Sequence, residues 1–305
     1  MGDNMKRVVS ISLGASKRDH CVEQDFNGQL IRIERMGTDG NIEKAIDLIR
    51  ALDGKVDAFG LGGTDLYIYA GGRRYTFRES LKIVSAAKLS PIVDGSGVKN
   101  TLERTVVSHL AGNHQVMMKD RRVLLVCAVD RFGLAESLVK AGCQVTCGDL
   151  MFGLGVPIPI KSLAGLQRLA KVVAPVITKL PVRLFYPTGE KQTRTAPKFS
   201  RYFHEAEIIA GDFHFIRRYM PPELPGKIVI TNTVTADDVA MLQKSGIHML
   251  VTTTPEMGGR SFGTNVLEGI LVALSGKRPE NMYKDEYSQI MQSIGIKPRV
   301  SVLGH

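Results

Sequence analysis

Three stretches gather cations, acids and hydroxyls densely enough to bind an anion or move a proton. The first, Gly14-Ala15-Ser16-Lys17-Arg18-Asp19-His20, places two cations, a hydroxyl, an acid and an imidazole side by side. Lys17 is the group expected to hold a carboxylate or donate a proton, Asp19 to accept or orient that proton, and Ser16 to bind the substrate. In the second, Asp94-Gly95-Ser96-Gly97-Val98-Lys99-Asn100-Thr101, the glycines let backbone amides converge and Lys99 adds charge, a combination suited to a carboxylate or phosphate. Here Asp94, Ser96 and Asn100 read as substrate-binding residues, and Lys99 and the nearby Glu103 as acid–base groups. A helix cap by Ser96 or Asn100 would account for the same residues without a ligand. The third, Thr252 to Asn265, is a long polar, Gly-rich loop, and such loops in compact domains usually have a function. Arg260 and Asn265 are expected to face a cleft between domains, with Asn265 capping the last helix as the alternative. Gly60-Leu61-Gly62-Gly63-Thr64-Asp65 is a further strand-end loop of the same kind, and a lone His214 follows Asp212 beyond another strand.

A nucleotide signature lies in the second half. Val123 to Leu138 has the strand, tight turn and helix order of a dinucleotide site. Gly133 stands at the fingerprint's third glycine, and Asp149 lies roughly twenty residues beyond the turn, where an acid accepts hydrogen bonds from ribose hydroxyls. Cys127 and Val129 occupy the places of the first two glycines. Asp130, Arg131, Gly133, Asp149 and Asp212 are the predicted cofactor-binding residues. The acid argues for NAD over NADP, whereas a guanidinium at the helix start, Arg131, could meet a phosphate. An ordinary β-α-β unit with no nucleotide is the competing reading.

The elements that must position these residues follow from periodicity. Arg7 to Leu13 reads as a buried strand, Cys21 to Glu34 as a hairpin turning at Asn27-Gly28, and Ile42 to Ile49 as a helix. Val56 to Leu61 and Pro91 to Val93 read as strands, and Glu79 to Ala87 and Lys99 to His109 as helices. Beyond Arg121, strands at 123–128, 144–147, 182–186, 208–210, 228–232 and 249–252 alternate with helices, which predicts a parallel sheet covered on both faces. The expected fold is α/β, with a small N-terminal mixed α/β domain (1–115), a Rossmann-like domain (116–265), and a C-terminal helix and polar tail (266–305) packing back on the first. The N-terminal domain would hold the substrate and the second the cofactor.

Composition narrows the classes. The 305 residues are 44% hydrophobic and 23% charged, the balance of a globular protein. The net charge of +10 comes from Lys and Arg scattered end to end, without an aromatic RNA-binding motif and without Trp, which suits small anions better than nucleic acid. Cys21, Cys127, Cys143 and Cys147 lack metal-ligand spacing and read as reduced. With no apolar signal core after Lys6-Arg7 and no run of membrane-spanning length, a cytoplasmic location away from membranes is expected, and a homo-oligomer is left open.

The order of elements resembles the shikimate and quinate dehydrogenase family, more specifically bacterial quinate 5-dehydrogenase-like proteins, over nearly the whole chain. Gly14-Ala15-Ser16-Lys17 resembles the family's carboxylate-binding Ser-Lys-Ser segment, and Asn100-Thr101 its Asn-Thr-Asp motif, with Leu102 where the catalytic Asp belongs. No Val-Thr-x-Pro-x-Lys block, source of the family's lysine, stands between residues 55 and 90, and Gly263-Thr264-Asn265 replaces its C-terminal Gln-Ala. The resemblance implies an NAD(P)-dependent oxidoreductase acting on a small anionic hydroxy acid. A non-redox nucleotide- or anion-binding protein on the same fold is the alternative.

Overall fold

A computed structural model describes residues 5–70, 73–114, 116–182, 195–258 and 260–304. Strand β1 (Lys6–Ser12) buries Val8, Val9 and Ile11, so apolar side chains leave it on both faces and it becomes a central strand. A one-turn 3₁₀ segment, Ser16–Arg18, leads into the hairpin of β2 (His20–Phe26) and β3 (Gln29–Gly37). Its two turn residues, Asn27 and Gly28, have φ of 54° and 88°, the left-handed pair required by the expected tight turn. Helix α1 (Ile42–Leu52) starts at Asn41, whose side chain accepts from the Lys44 amide, and buries Ala45, Ile46 and Ile49. Then come β4 (Ala58–Gly62), an antiparallel pair β5 (Tyr67–Ala70) and β6 (Arg73–Thr76), helix α2 (Arg78–Val84), β7 (Ile92–Val93) and α3 (Ser96–Asn113). The turn expected at Gly71-Gly72 lies outside the described residues. The sheet order is β2-β3-β1-β4-β7, parallel apart from β2.

The second sheet is built from β8 (Arg122–Leu125), α4 (Phe132–Lys140), β9 (Gln144–Cys147), α5 (Leu163–Ile177), α6 (Ser200–Glu205), β10 (Ile208–Ala210), α7 (Phe213–Tyr219), β11 (Ile228–Thr231), α8 (Ala236–Lys244) and β12 (Met249–Thr252). A short ribbon of β13 (Glu256–Met257) and β14 (Arg260–Ser261) precedes α9 (Thr264–Ser275), α10 (Lys284–Ser293) and β15 (Arg299–Val302). Among the described residues the order is β9-β8-β10-β11-β12-β15, parallel except for β15. The chain therefore winds in opposite directions on the two sides of β8, leaving a crevice at the carboxyl ends of β8 and β10. Of the strand expected at 182–186, residues 183–186 lie outside the described residues. The architecture is α/β, a small mixed N-terminal unit followed by a Rossmann-type parallel sheet.

Side chains alternate across β8 as the pleat requires. Val123 and Leu125 pack with Val106 and Leu110 of α3 and Leu134 and Leu138 of α4, while Leu124 and Val126 pack with Phe203, Phe213 and Leu242 on the other face. In the first sheet, Val8, Ile31, Ile33 and Ala58 are covered by Val266, Leu267, Ile270 and Leu271 of α9. Val9, Ile11 and Phe59 meet Ile46 and Ile49 of α1, with Ala170 and Ala174 of α5 joining from the second unit.

The polar stretch expected after Gly276 contains regular structure. Tyr287 and Met291, four apart, bury one side of α10 in the core that α9 forms with the first sheet, and β15 then crosses to pair antiparallel with β12 of the second sheet. The four-residue spacing of Tyr287 and Met291 is in the sequence, but Lys284, Asp285 and Glu286 beside it give the stretch a polar character. Among the described residues no helix is long and apolar enough to cross a membrane.

Gly95 makes the approach of α9 to α3 feasible. Its φ is 94°, and a β-carbon there would stand 2.4 Å from Thr264 Oγ1. Gly95→Ala is expected to destabilise the protein by about 1–3 kcal/mol, since it adds both left-handed strain and a clash. Urea unfolding followed by circular dichroism checks this; an unchanged midpoint would contradict it.

Candidate functional site

The carboxyl ends of both sheets face one another across a cleft of about 130 Å³. Into it project residues from β1, the loops after β4 and β7, α3, the turns after β8, β10 and β11, and the start of α9. Lys99, in the first turns of α3, reaches Asp130 Oδ2 at 2.9 Å and Asp65 Oδ1 at 3.4 Å. Burial alone would lower its pKa, but those carboxylates raise it above the ordinary lysine value, so Lys99 is a fixed ammonium.

Behind it lies a buried guanidinium. Arg131 Nη1 donates to Glu103 Oε1 at 2.9 Å and Nη2 to Asp212 Oδ2 at 3.2 Å. Burial pushes Glu103 up to about 7 against the pull of Arg131 and Lys99. Asp212 is the N-cap of α7, accepting from the His214 amide at 2.9 Å, and it also accepts from Asn232 Nδ2 at 3.0 Å. Burial would raise Asp212, yet His214, Arg131 and Asn232 hold it down at about 2. Burial lowers His214 to about 4, which leaves its ring neutral at neutral pH, and its Nδ1 is buried without a hydrogen-bond partner.

A third group closes the far end. Arg18 Nη2 and Arg217 Nη1 meet the two oxygens of Asp238 at 3.2 and 2.6 Å, and Asp238 is fully buried while capping α8 with Thr235. Arg35 donates to Asp19 at 2.7 Å and to Ser12 Oγ at 3.1 Å.

These contacts revise several expectations. Lys17 is exposed and does not line the cleft; the 3₁₀ turn rotates the next residue, Arg18, inward. Asp19 points to Arg35 and the Gly37 amide, away from any ligand, and the Ser16 amide donates to Asp39. Asp94 lines the cleft, but its carboxylate accepts from the Leu66 and Ser96 amides and from Ser96 Oγ, so Asp94 and Ser96 satisfy each other. Glu103 lies behind the cleft, on Arg131. Asn265 does face the cleft, donating to Ser10 Oγ at 2.8 Å, and no side chain caps α9. The side chains of Asn100 and Arg260 lie outside the described residues. Lys99, Asp130, Arg131, Asp212 and Asn265 come together in the cleft. Sequence reasoning missed Arg35 and Asn232, polar residues at strand ends with no local motif to mark them.

The predicted nucleotide turn is arranged differently. Gly133 is buried in the first turn of α4, as close helix–strand packing requires. Asp149, expected to face a ribose, turns back instead: its Oδ1 accepts from the Ala128 and Val129 amides, each at 2.9 Å. Those are the amides that would otherwise meet a pyrophosphate, and a carboxylate already holds them. Without the first two glycines, moreover, β-carbons line the turn. A dinucleotide pyrophosphate does not fit this turn as it stands.

Residues 97–303 match a family model described as a domain of unknown function (DUF8754). The chain belongs to that family. Residues 7–94 match a second model, also a domain of unknown function (DUF8753). No curated protein matches the chain. Among solved structures, similarity extends to a galactofuranose binding protein (12% identity, TM-score 0.36, 94% of this chain and 98% of that one). It extends also to glutamate dehydrogenase from Thermus thermophilus (12%, 0.41, 95% and 74%) and to an NAD-dependent malic enzyme from Thermotoga maritima (10%, 0.35, 96% and 85%). At these scores none bears on the chemistry of the cleft.

Two predictions follow from the buried charges. Asp238→Ala would leave Arg18 and Arg217 facing an empty space and uncap α8, and should cost about 3–5 kcal/mol in urea unfolding; a loss below about 1 kcal/mol, the range of an exposed pair, would refute the assignment. Glu268, buried on α9, accepts from the Gly95 amide at 2.7 Å and Tyr287 Oη at 3.0 Å, and burial, aided by Asp94, raises it to about 7 from 4.5. With the folded value above the unfolded one, its contribution is full below pH 4.5 and is lost as pH rises through about 7. Glu268→Gln should therefore flatten the fall in melting temperature between pH 5 and 8 and stabilise the protein most at the alkaline end. An unaltered slope in differential scanning fluorimetry would show that Glu268 does not titrate in this range.

Proposed function

We propose that the protein binds a small polyhydroxylated carboxylic acid in the cleft between its two units and, without a dinucleotide in the turn after β8, supports proton transfer on it. The observation that carries this reading is Lys99, an ammonium from α3 held by one carboxylate from each unit at the mouth of the cleft. The described lining alternates four cations, Lys99, Arg18, Arg35 and Arg131, with four carboxylates, Asp65, Asp94, Asp130 and Asp212. A surface of that kind has no large excess charge to neutralise a phosphate. It does present donors and acceptors in alternation, which suits vicinal hydroxyls, each both donor and acceptor. Lys99 supplies the fixed positive charge for a carboxylate or a developing alkoxide, and neutral His214, whose buried Nδ1 has no hydrogen-bond partner among the described residues, supplies an acceptor for a hydroxyl proton.

One observation favours a second reading, an NAD(P)-dependent oxidoreductase of the quinate or shikimate type with NAD as the first cofactor to try. A lysine and an acid stand together, in places opposite to those the resemblance implies: Asp65 sits on the loop after β4, and Lys99 at the start of α3. For this reading to hold, Asp149 would have to leave the turn amides.

Isothermal titration with quinate and shikimate, each alone and then with NAD, NADH, NADP and NADPH, separates the two. Binding of either acid without nucleotide, reduced at least tenfold in Lys99→Gln, is the expected result; a tenfold loss corresponds to about 1.4 kcal/mol. Absence of binding by both acids, or an unaffected Lys99→Gln, would overturn the first reading. Turnover of either acid with reduction of NAD or NADP would establish the second.

A further inference from the structure

A second pocket lies on the other side of Asp130, between the turn after β8, the Asp149 segment, β5 and α5. Its volume is about 120 Å³. That is comparable with the roughly 150 Å³ apolar cavity that accommodates a benzene ring. Phe77, Val129, Leu169, Val173 and Ile177 are part of its largely apolar wall, and no lysine or arginine lines it among the described residues. Its charged groups among the described residues are two carboxylates, Asp149 and Asp130, and the Cys127 thiol also lines it. Each has spent one oxygen: Asp149 Oδ1 on the turn amides, Asp130 Oδ2 on Lys99. The other oxygens, Asp149 Oδ2 and Asp130 Oδ1, are buried with no hydrogen-bond partner among the described residues. A buried acceptor left without a donor costs about 1–3 kcal/mol, more when charged, so two of them beside one apolar slot call for an explanation.

We propose that this slot binds a single-ring apolar molecule carrying a hydrogen-bond donor, an amine or a hydroxyl, that satisfies the free carboxylate oxygens, and that it rejects anions. The ring displaces water from the apolar wall, and the donor reaches the carboxylate end of the pocket. An anionic head there would face two carboxylates with no cation in the wall to offset them. Burial raises Asp149 to about 6, and the Val129 and Ala128 amides offset only part of that rise. The site is separate from the cleft, and its ligand is not the acid proposed there.

Three benzyl probes that differ only in their head group test this: benzylamine, benzyl alcohol and benzoate, titrated by ligand-observed NMR into the full chain. Benzylamine and benzyl alcohol should bind, and benzoate at least tenfold more weakly. Val173→Trp, which fills the slot, should weaken benzylamine at least tenfold. Asp149→Asn retains an oxygen for the turn amides but turns the free acceptor into a donor, and should abolish the preference for benzylamine over benzoate. The comparison of the three probes on the parent protein needs no variant, so it stands if Val173→Trp fails to fold. The proposal is overturned if none of the probes binds at millimolar concentration, or if benzoate binds as well as benzylamine. It is equally overturned if folded Val173→Trp binds unchanged, or if ADP-ribose displaces benzylamine, which would make the slot one end of a nucleotide site. Failure here leaves the quinate and shikimate titrations unaffected.

Discussion

The arrangement of the cleft depends on one buried guanidinium. Arg131 sits at the end of the turn after β8 and spans Glu103 on α3 and Asp212 at the end of β10, so it fixes three elements at once. Lysine could not replace it, because a point charge lacks the planar fork that meets two carboxylates in different directions. Burying such a triad gives little net stability, since desolvation offsets most of the attraction, but any arrangement that strands one member is heavily penalised. The triad thus acts as a selector of geometry. With Arg131 fixed, its neighbour Asp130 is set opposite Lys99, and Asp212 is set to start α7 and hold His214 at the cleft.

Asp149 shows how the same sheet that elsewhere receives a phosphate can be closed from within. The turn amides after β8 converge as they do in any strand-turn-helix unit, and an acid at the end of the following strand lies within reach of them. A carboxylate supplied by the chain itself binds without the translational cost that a free ligand must overcome. The turn therefore contributes to the fold, and the two cavities that Asp130 lines lie on either side of it.

Much of the frame was legible in the sequence. Asn27-Gly28 announces its hairpin because only a few residues tolerate two successive left-handed positions, and the alternation of strands with helices past Arg121 leaves few options other than a parallel sheet. The site was legible only where a loop's place in the fold also determined side-chain direction, as for Lys99 and Asn265. Between Lys17 and Arg18 the difference is one step around a tight turn, which composition does not encode. Spacing located Asp149 at the right strand end, yet whether its carboxylate swings outward or back depends on the room left in the turn, a three-dimensional property. Arg35 and Asn232 belong to no local motif, and their partners are 16 and 20 residues away in sequence.

The last part of the chain serves both units: α9 covers the inner face of the first sheet, and β15 adds the final strand to the second. A ribosome releases these segments after the strands they complete. Until then Val8, Ile31, Ile33 and Ala58 have no α9 over them, and β12 presents a bare edge, the two kinds of surface that invite association between nascent chains. The two halves look modular in their topology, but neither can finish folding during synthesis ahead of the other, and a cut near residue 95 would separate a sheet from its cover instead of releasing two independent modules.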